Sequence, residues 1–238
     1  MDAVGVEVHE GYGLTETSPT VTANRPGARR IGSVGRPIRG VRVEVDTRVT
    51  GDPRVGEIVV HGPGVMRGYH GLPEETARVI AEDGGLRTGD LGYVDDDGYV
   101  FITGRIKEQY KLENGRYVAP VPVEEALKLS PYIAGAMLHG ANRPYNVVLV
   151  SLNVPAIRQW AEAEGLSIHD PAQDDRVAEL LHREIEARVQ AFKPFERPQK
   201  FFLVTEELTP ENGMLTPTLK VKRRRVLERW GAEIDRLY

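Results

Sequence analysis

At residues 103–108 the chain reads Thr-Gly-Arg-Ile-Lys-Glu, and its character changes there. Glycine-rich turns and short β-like runs precede this stretch, whereas longer runs with helical spacing follow it. A junction of this kind is either an ordinary linker or a working hinge. The stretch therefore predicts a chain of two parts, and the segments on either side decide between the two interpretations.

The composition is that of an ordinary globular protein. Of 238 residues, 40% are hydrophobic and 28% are charged, which is typical of a soluble domain. No run approaches the ~18 apolar residues needed to span a bilayer, and no signal-peptide pattern opens the sequence. Cysteine is absent, which rules out disulfides and thiolate metal sites. The net charge of −4 argues against general nucleic-acid binding, and we expect a soluble, cytoplasmic protein.

Residues before the junction predict short strands. Alternating apolar residues at 41–45 and a valine-rich run at 56–60 are typical of strands, and residues 31–35 fit another. Glycine and proline between these runs indicate tight turns. Short strands at this spacing suggest a small barrel or sandwich.

Three consecutive aspartates at residues 95–97 raise the question of a calcium site. Calcium loops place their ligands at alternate positions and close with a glutamate at position 12, and neither feature is present here. Asp97 and Gly98 stand directly before an apolar run, which is typical of a hairpin turn. The sequence therefore predicts a turn.

Residues after the junction mix helical and strand patterns. Apolar residues recur at helical spacing in 155–164 and 174–192, whereas valine- and leucine-rich runs of strand length occupy 133–139 and 146–153. Further predicted elements are helices at 123–130 and 223–237 and a strand at 199–205. The second part is therefore expected to be α+β.

Two motifs carry polar side chains of chemical interest. Residues 10–17 read Glu-Gly-Tyr-Gly-Leu-Thr-Glu-Thr, in which two glycines let the backbone turn sharply and approach a ligand closely. Residues 220–225 read Lys-Val-Lys-Arg-Arg-Arg, a basic run that fits a solvated helix face or a nucleic-acid patch. By residue type alone, a polar turn and a solvated face explain both motifs.

Four separated segments resemble, in order and spacing, the adenylate-forming acyl-CoA synthetases. They read YGLTE at 12–16, TGD at 88–90, GRIK at 104–107 and LKVKR at 219–223. Residues 118–122 (VAPVP) and 215–220 (LTPTLK) are most similar to the long-chain fatty acyl-CoA ligase branch. The resemblance covers essentially the whole chain, and four motifs in register are far more specific than one.

The resemblance also implies a domain plan. Residues 1–104 would form the end of a large AMP-binding domain with barrel-like strands, residues 105–107 a hinge, and residues 108–238 a small, mobile α+β domain. Nothing in the chain resembles the family's Ser/Thr/Gly-rich phosphate-binding loop, which ends near a lysine. We therefore expect the chain to be the C-terminal part of a ligase, inactive without the missing N-terminal portion.

The reaction implied by the resemblance joins a fatty acid to ATP as an acyl-adenylate and then transfers the acyl group to coenzyme A. Lys220 would neutralise charge at the α-phosphate during the first step, for which a compact ammonium is suited. Glu16 would hold magnesium, which prefers carboxylate oxygen. Thr15 would bond a phosphate or the acyl carboxylate.

The nucleoside would lie on residues of the first part. By resemblance, Tyr12 packs on the adenine face, and Gly13 beside it allows close approach of the backbone. Asp90 would accept both ribose hydroxyls, a task that suits two carboxylate oxygens. Arg105 would bind a ribose oxygen. A plain turn aspartate after Gly89 is the alternative for Asp90.

Two further residues belong to the expected domain rotation. The resemblance makes Lys107 the pivot about which the small domain turns, although many relatives have aspartate at this position. In one orientation Lys220 enters the site, and in the other the segment around Gly115 lines the tunnel of the thiol. An exposed surface lysine and a plain Asn-Gly turn are the alternatives at these two positions.

The expected partners are thus fatty acid, ATP or AMP, magnesium and coenzyme A, with no nucleic acid. The missing N-terminal portion of the ligase is a further partner, and peripheral membrane association of the full enzyme fits a fatty-acid substrate. A second hypothesis is a non-catalytic binding or regulatory remnant of the same fold. The motif residues Glu16, Asp90 and Lys220 argue against that hypothesis, whereas the lack of a phosphate-binding loop favours it.

Overall fold

The computed structural model describes residues 5–50 and 52–238. It divides into two compact units, unit 1 (Met1–Lys107) and unit 2 (Glu108–Tyr238). Of the predicted first segment 1–104, residues 1–4 and Gly51 lie outside the described residues. Among the helices that are described, none is long and apolar enough to cross a bilayer.

Unit 1 is built mainly from short antiparallel strands. Its elements are β1 (Gly11–Gly13), β2 (Thr20–Ala23), β3 (Arg36–Pro37), β4 (Arg42–Asp46), β5 (Gly56–His61), α1 (Pro73–Val79), β6 (Leu86–Val94) and β7 (Val100–Arg105). One sheet has the order β1-β2-β3 and the other the order β4-β5-β6-β7. Val21 of β2 packs against Ile58 and Val60 of β5 and Val100 of β7, so the two sheets share one core.

The predicted barrel-like subdomain finds no support. Closing a sheet into a barrel requires hydrogen bonds between its first and last strands. In the described residues the four-stranded sheet is open, because β4 and β7 stand at its two ends and each pairs with one neighbour. The strands predicted at 41–45 and 56–60 are nevertheless confirmed as β4 and β5.

The strand predicted at residues 31–35 is wrong. Gly32 and Gly35 have φ of +83° and +89°, in the left-handed region that breaks an extended chain. A Cβ on Gly35 would lie 2.0 Å from the carbonyl carbon of Ala23, so the glycine permits close backbone approach instead.

The turn predicted at the three aspartates is confirmed. The N–H of Gly98 donates to the carbonyl of Asp95 at 2.9 Å, which closes the connection between β6 and β7. Arg30 pairs with both Asp95 and Asp97. These carboxylates are thus occupied by a guanidinium.

Unit 2 is a mixed sheet covered by helices. Its elements are β8 (Tyr110–Lys111), β9 (Tyr117–Val118), α2 (Pro120–Leu127), β10 (Ile133–His139), β11 (Asn146–Leu152), α3 (Val154–Ala163), α4 (Asp175–Val189), β12 (Pro198–Val204) and α5 (Arg223–Asp235). The main sheet has the order β10-β11-β12, antiparallel between β10 and β11 and parallel between β11 and β12. The α+β prediction for this part is confirmed.

The central strand β11 explains why unit 2 has two apolar cores. All seven residues of β11 are buried, as expected for a strand with helices on both faces. Val148 and Val150 belong to the core that includes α2, α3 and α4, whereas Val147 and Leu149 belong to the core that includes α5. Alternation of side chains along the strand therefore divides the apolar residues between the two layers.

Candidate active site

The Thr-Gly-Asp motif lies in a bulge of β6. Arg87 faces Val59 of β5 and Leu91 faces Glu57, so residues 88–90 lie opposite the single residue Ile58 and β6 has two extra residues here. Gly89 has φ of +71°, and this left-handed conformation favours glycine. Bulges beside functional sites commonly re-aim a side chain, and here the residue at the end of the bulge is Asp90.

Asp90 and Arg105 are direct cross-strand partners on β6 and β7. The Nε of Arg105 lies 2.7 Å from Oδ1 of Asp90, and the hydroxyl of Tyr12 donates to Oδ2 at 2.6 Å. The Asp90 side chain is 4% exposed, whereas the Arg105 side chain is 51% exposed. Burial, and the hydrogen bond to Asp90, raise the pKa of Tyr12 well above its usual value, so the phenol stays protonated as a donor.

The structure therefore brings Tyr12, Asp90 and Arg105 together, as a nucleoside site on unit 1 requires. Each carboxylate oxygen of Asp90 has a second lone pair and can accept a ligand hydroxyl in addition to its present donor. The exposed guanidinium of Arg105 can contact a ligand without losing its ion pair. The cluster can thus hold a polyhydroxylated ligand such as a ribose.

The loop after β1 is shaped by close packing. A Cβ on Gly13 would lie 1.7 Å from the carbonyl oxygen of Pro19, so no side chain fits at this position. The buried hydroxyl of Thr17 lies 2.9 Å from the carbonyl of Leu14 and 2.8 Å from that of Pro19, and it accepts the N–H of Leu14. Thr15 is exposed at the start of this 3₁₀ turn.

Glu16 is half-buried and faces Tyr69, which belongs to none of the sequence motifs. The hydroxyl of Tyr69 donates to Oε1 of Glu16 at 2.9 Å, and the N–H of Met66 donates to the Glu16 carbonyl at 2.8 Å. The hydrogen bond to Glu16 raises the pKa of Tyr69. A single carboxylate such as that of Glu16 fits magnesium, which takes one or two protein carboxylates together with water and substrate phosphate.

Lys220 lies at the end of a narrow hairpin in unit 2. Leu215 and Val221 form an isolated bridge, and the N–H of Thr216 donates to the Lys220 carbonyl at 2.8 Å. Leu219 precedes it with φ of +60° and is 65% exposed. The Lys220 side chain is also 65% exposed, with Nζ 3.9 Å from Oε1 of Glu108. The hairpin therefore presents the ammonium to solvent.

The basic run that contains Lys220 is not a uniform face. Arg223 donates to both carboxylate oxygens of Glu124, at 2.7 and 2.8 Å, and to the carbonyl of Leu138 at 2.9 Å. Arg224 and Arg225 pair with Glu228 on the same helix. Burial raises the pKa of Glu124, while the Arg223 guanidinium acts in the opposite direction. Arg223 is thus a structural anchor.

Lys107 and Gly115 belong to the junction and the segment after it. The boundary between the two units falls directly after Lys107, an exposed residue in a 3₁₀ turn (Ile106–Glu108). Gly115 has φ of +86° in the turn between β8 and β9, where its N–H donates to the Leu112 carbonyl at 2.9 Å. The roles of Lys107 as a pivot and Gly115 as a tunnel residue stay predictions.

Comparison with known proteins assigns the chain to a family. Residues 1–70 match the model of AMP-binding enzymes, and residues 107–238 match that of the AMP-binding enzyme C-terminal domain. A long-chain-fatty-acid–CoA ligase of Mycobacterium tuberculosis is 35% identical over 98% of this chain, and the peroxisomal long chain acyl-CoA synthetase 7 of Arabidopsis thaliana is 33% identical over 98%. The A-PCP didomain of carboxylic acid reductase from Segniliparus rugosus, in complex with AMP, has 25% identity and a TM-score of 0.72, covering 99% of this chain and 32% of that structure.

A chain with an AMP-binding segment followed by the corresponding C-terminal domain has the order of adenylate-forming enzymes. This chain belongs to the AMP-binding enzymes, in the acyl-CoA synthetase group of the adenylate-forming superfamily. The family predicted from the four motifs is therefore confirmed. The chain spans 38% and 35% of the lengths of the Mycobacterium and Arabidopsis relatives.

Proposed function

We propose that this chain is the C-terminal part of an ATP-dependent ligase that adenylates a long-chain fatty acid and transfers the acyl group to coenzyme A. The observation that carries the proposal is the cluster of Tyr12, Asp90 and Arg105, in which a buried carboxylate is held between a phenol and an exposed guanidinium. The names of the relatives support the choice of fatty acid as substrate. A cytoplasmic location and peripheral membrane contact stay predictions from the sequence.

The proposed nucleotide site uses each member of the cluster differently. Asp90 accepts the ribose hydroxyls, and Arg105 donates to a ribose oxygen. The Tyr12 hydroxyl donates its hydrogen bond to Asp90, so the aromatic ring of Tyr12 supplies the flat surface on which adenine stacks. Gly13 allows the close packing of this loop against Pro19, next to the ring of Tyr12.

Magnesium, where bound, would neutralise phosphate charge during adenylation. Glu16 is the carboxylate that would hold it, and Thr15 would orient a phosphate or the acyl carboxylate beside it. Tyr69 fixes the direction of the Glu16 carboxylate by donating to Oε1. This chain would therefore contribute the Glu16 carboxylate, held in one orientation, as a ligand of the ion.

Lys220 and the junction between the two units have the remaining roles in the proposed reaction. The exposed ammonium of Lys220 would contact the α-phosphate during adenylation, with its charge free to act across the developing negative oxygens. A rotation about Lys107 would then withdraw it and bring the segment at Gly115 to the thiol of coenzyme A. A hinge residue must tolerate two backbone conformations, and an exposed residue at a unit boundary meets that condition.

The test of the proposal is pyrophosphate exchange by the protein from the complete reading frame. With palmitate and magnesium, it is expected to exchange labelled pyrophosphate into ATP and to form palmitoyl-CoA when coenzyme A is added. A complete protein that binds AMP but supports neither reaction would favour the alternative of a non-catalytic remnant. A protein that acts only on short or aromatic acids would refute the assignment of a long-chain fatty acid as substrate.

We predict that the 238 residues alone support no exchange above background. The physical reason is that no segment of the chain supplies a glycine-rich phosphate-binding loop with its lysine. The measurement is the same exchange assay with this chain, using the complete protein at equal concentration as the positive control. Exchange by this chain with an added fatty acid would contradict the prediction.

Replacing Lys107 with proline is expected to slow thioester formation more than adenylation. Proline fixes φ near −65°, so rotation about this residue is hindered. In the complete enzyme, palmitoyl-adenylate supplied directly should be converted to palmitoyl-CoA about tenfold more slowly, whereas pyrophosphate exchange should persist. Lys107→Ala is the matched control, because it removes the side chain but leaves φ free. Unchanged thioester formation in Lys107→Pro would count against the pivot.

A further inference from the structure

A buried carboxylate on β5 holds the bulge that carries Asp90. Glu57 is 5% exposed, and its Oε1 accepts the N–H of Gly89 at 3.1 Å. Its Oε2 accepts from Nη1 of Arg87 at 2.8 Å. Residues on both sides of Thr88 are thereby tied to one side chain.

The bulge makes such an acceptor necessary. Extra residues in a strand lose their ladder partners, and an unpaired N–H inside a sheet costs free energy. Gly89 lies in this unpaired stretch, between the pairs that Arg87 and Leu91 form with β5. The carboxylate of Glu57 thus replaces the backbone acceptor that the N–H of Gly89 lost.

Arg87 makes the buried charge tolerable and fixes its direction. A buried carboxylate is costly unless it is paired and hydrogen-bonded. Arg87 bridges Glu57 to Asp46, with its Nη2 2.7 Å from Oδ2 of Asp46. Each carboxylate oxygen of Glu57 therefore accepts a hydrogen bond from the bulge region, one from Arg87 and one from Gly89, the residue directly before Asp90.

We propose that Glu57 is a positioning residue for nucleotide binding, holding Gly89 so that Asp90 meets the ribose hydroxyls. The inference rests on the proposed function, in which Asp90 binds ribose. Glu57 contacts no ligand in this proposal and acts through the bulge. Its loss would therefore weaken recognition of the ribose hydroxyls more than recognition of the rest of the nucleotide.

The test compares AMP with 3′-deoxy-AMP as ligands of the complete enzyme, with dissociation constants measured by calorimetry. The wild type is expected to bind AMP at least tenfold more tightly, because a hydrogen bond to a charged group is lost in the analogue. Glu57→Met, which matches the volume but has no oxygen, is expected to reduce that preference to less than threefold. Glu57→Gln keeps one acceptor for Gly89 and is expected to retain an intermediate preference.

Two controls separate positioning from general stability. Glu44→Gln, on the neighbouring strand β4, changes an exposed carboxylate that pairs with Arg42 and His61 rather than with Gly89 or Arg87, and is expected to leave the preference unchanged. In an Asp90→Asn background, Glu57→Met is expected to cause no further loss of preference, because its effect passes through Asp90.

Several outcomes would overturn the inference. Glu57→Met or Glu57→Gln that weakens both ligands equally, or leaves both unchanged, would show that Glu57 does not position Asp90. A second full loss of preference in the Asp90→Asn background would show the same. A wild type without any preference would overturn the ribose role of Asp90 itself, which identifies failure of the proposed site rather than of Glu57 alone.

Discussion

Replacing Lys220 with alanine in the complete enzyme is expected to lower the rate of adenylation by about 10²–10³-fold, the range seen when one electrostatic contact to a transition state is removed. The hairpin presents the Lys220 ammonium to solvent at 65% exposure, and the nearest carboxylate, Oε1 of Glu108, lies 3.9 Å from Nζ. An ion pair at that distance and exposure is weak, so the charge is available to a ligand. Conversion of supplied palmitoyl-adenylate to palmitoyl-CoA should remain within about threefold of the wild type, because the proposed rotation about Lys107 withdraws Lys220 from the phosphate before that step.

The measurement is a comparison of the two half-reactions in one preparation. Pyrophosphate exchange reports adenylation, and palmitoyl-CoA formed from palmitoyl-adenylate reports the second step. Lys222→Ala is the matched control, because Lys222 is an exposed lysine two residues away that starts α5 rather than ending the hairpin. Equal loss in both half-reactions for Lys220→Ala, or equal effects of the two variants, would contradict the assignment of Lys220 to the first step.

The elements of unit 2 were predictable because their patterns are long and regular. Helical spacing over 174–192 corresponds to α4, and the runs at 133–139 and 146–153 correspond to β10 and β11. In unit 1 the strands are short, and local conformation at single glycines decides their limits. That is why the strand at 31–35 was wrong, and why a series of short runs suggested a barrel that the open sheet does not support.

In the site, as in the fold, local sequence motifs identify single residues, whereas the contacts between those residues depend on the pairing of distant strands. Tyr12, Asp90 and Arg105 were identified by motif, but their common contact depends on the cross-strand register of β6 and β7. Glu57 and Tyr69 were missed, because one is a single charged residue in an apolar strand and the other an exposed tyrosine after a turn. Only the fold shows that they hold the bulge and Glu16.

Residues of the basic run have the same charge but different surroundings, and their roles differ accordingly. Lys220 and Arg223 are three positions apart, yet Lys220 faces solvent while Arg223 reaches a carboxylate that is 6% exposed. Glu124 also accepts the N–H of Leu138 at 2.7 Å, so it joins α2, β10 and the start of α5. The segment that carries Lys220 is therefore fixed at one end by a buried ion pair.

Replacing Glu124 with alanine is accordingly expected to destabilise unit 2 by about 3 kcal/mol, the lower end of the range for breaking a buried ion pair. The lower end applies because the Arg223 side chain is 31% exposed and regains water once its partner is gone. The N–H of Leu138 loses its acceptor as well, which adds to the cost. A loss of this size corresponds to a fall in Tm of roughly 10 °C.

Tryptophan fluorescence during urea unfolding of this chain measures the change in unit 2 alone, because both tryptophans of the sequence, Trp160 and Trp230, lie in that unit. Glu125→Ala is the matched control: Glu125 is the next residue on α2, 62% exposed and paired with Lys128 three residues further on. Surface pairs of that kind contribute little, so this variant's free energy of unfolding should change by less than about 0.5 kcal/mol. If Glu124→Ala were no more destabilising than Glu125→Ala, the ion pair would not be what anchors the Lys220 hairpin, and the hairpin would have to be held by the packing of Val226 and Trp230 against β11.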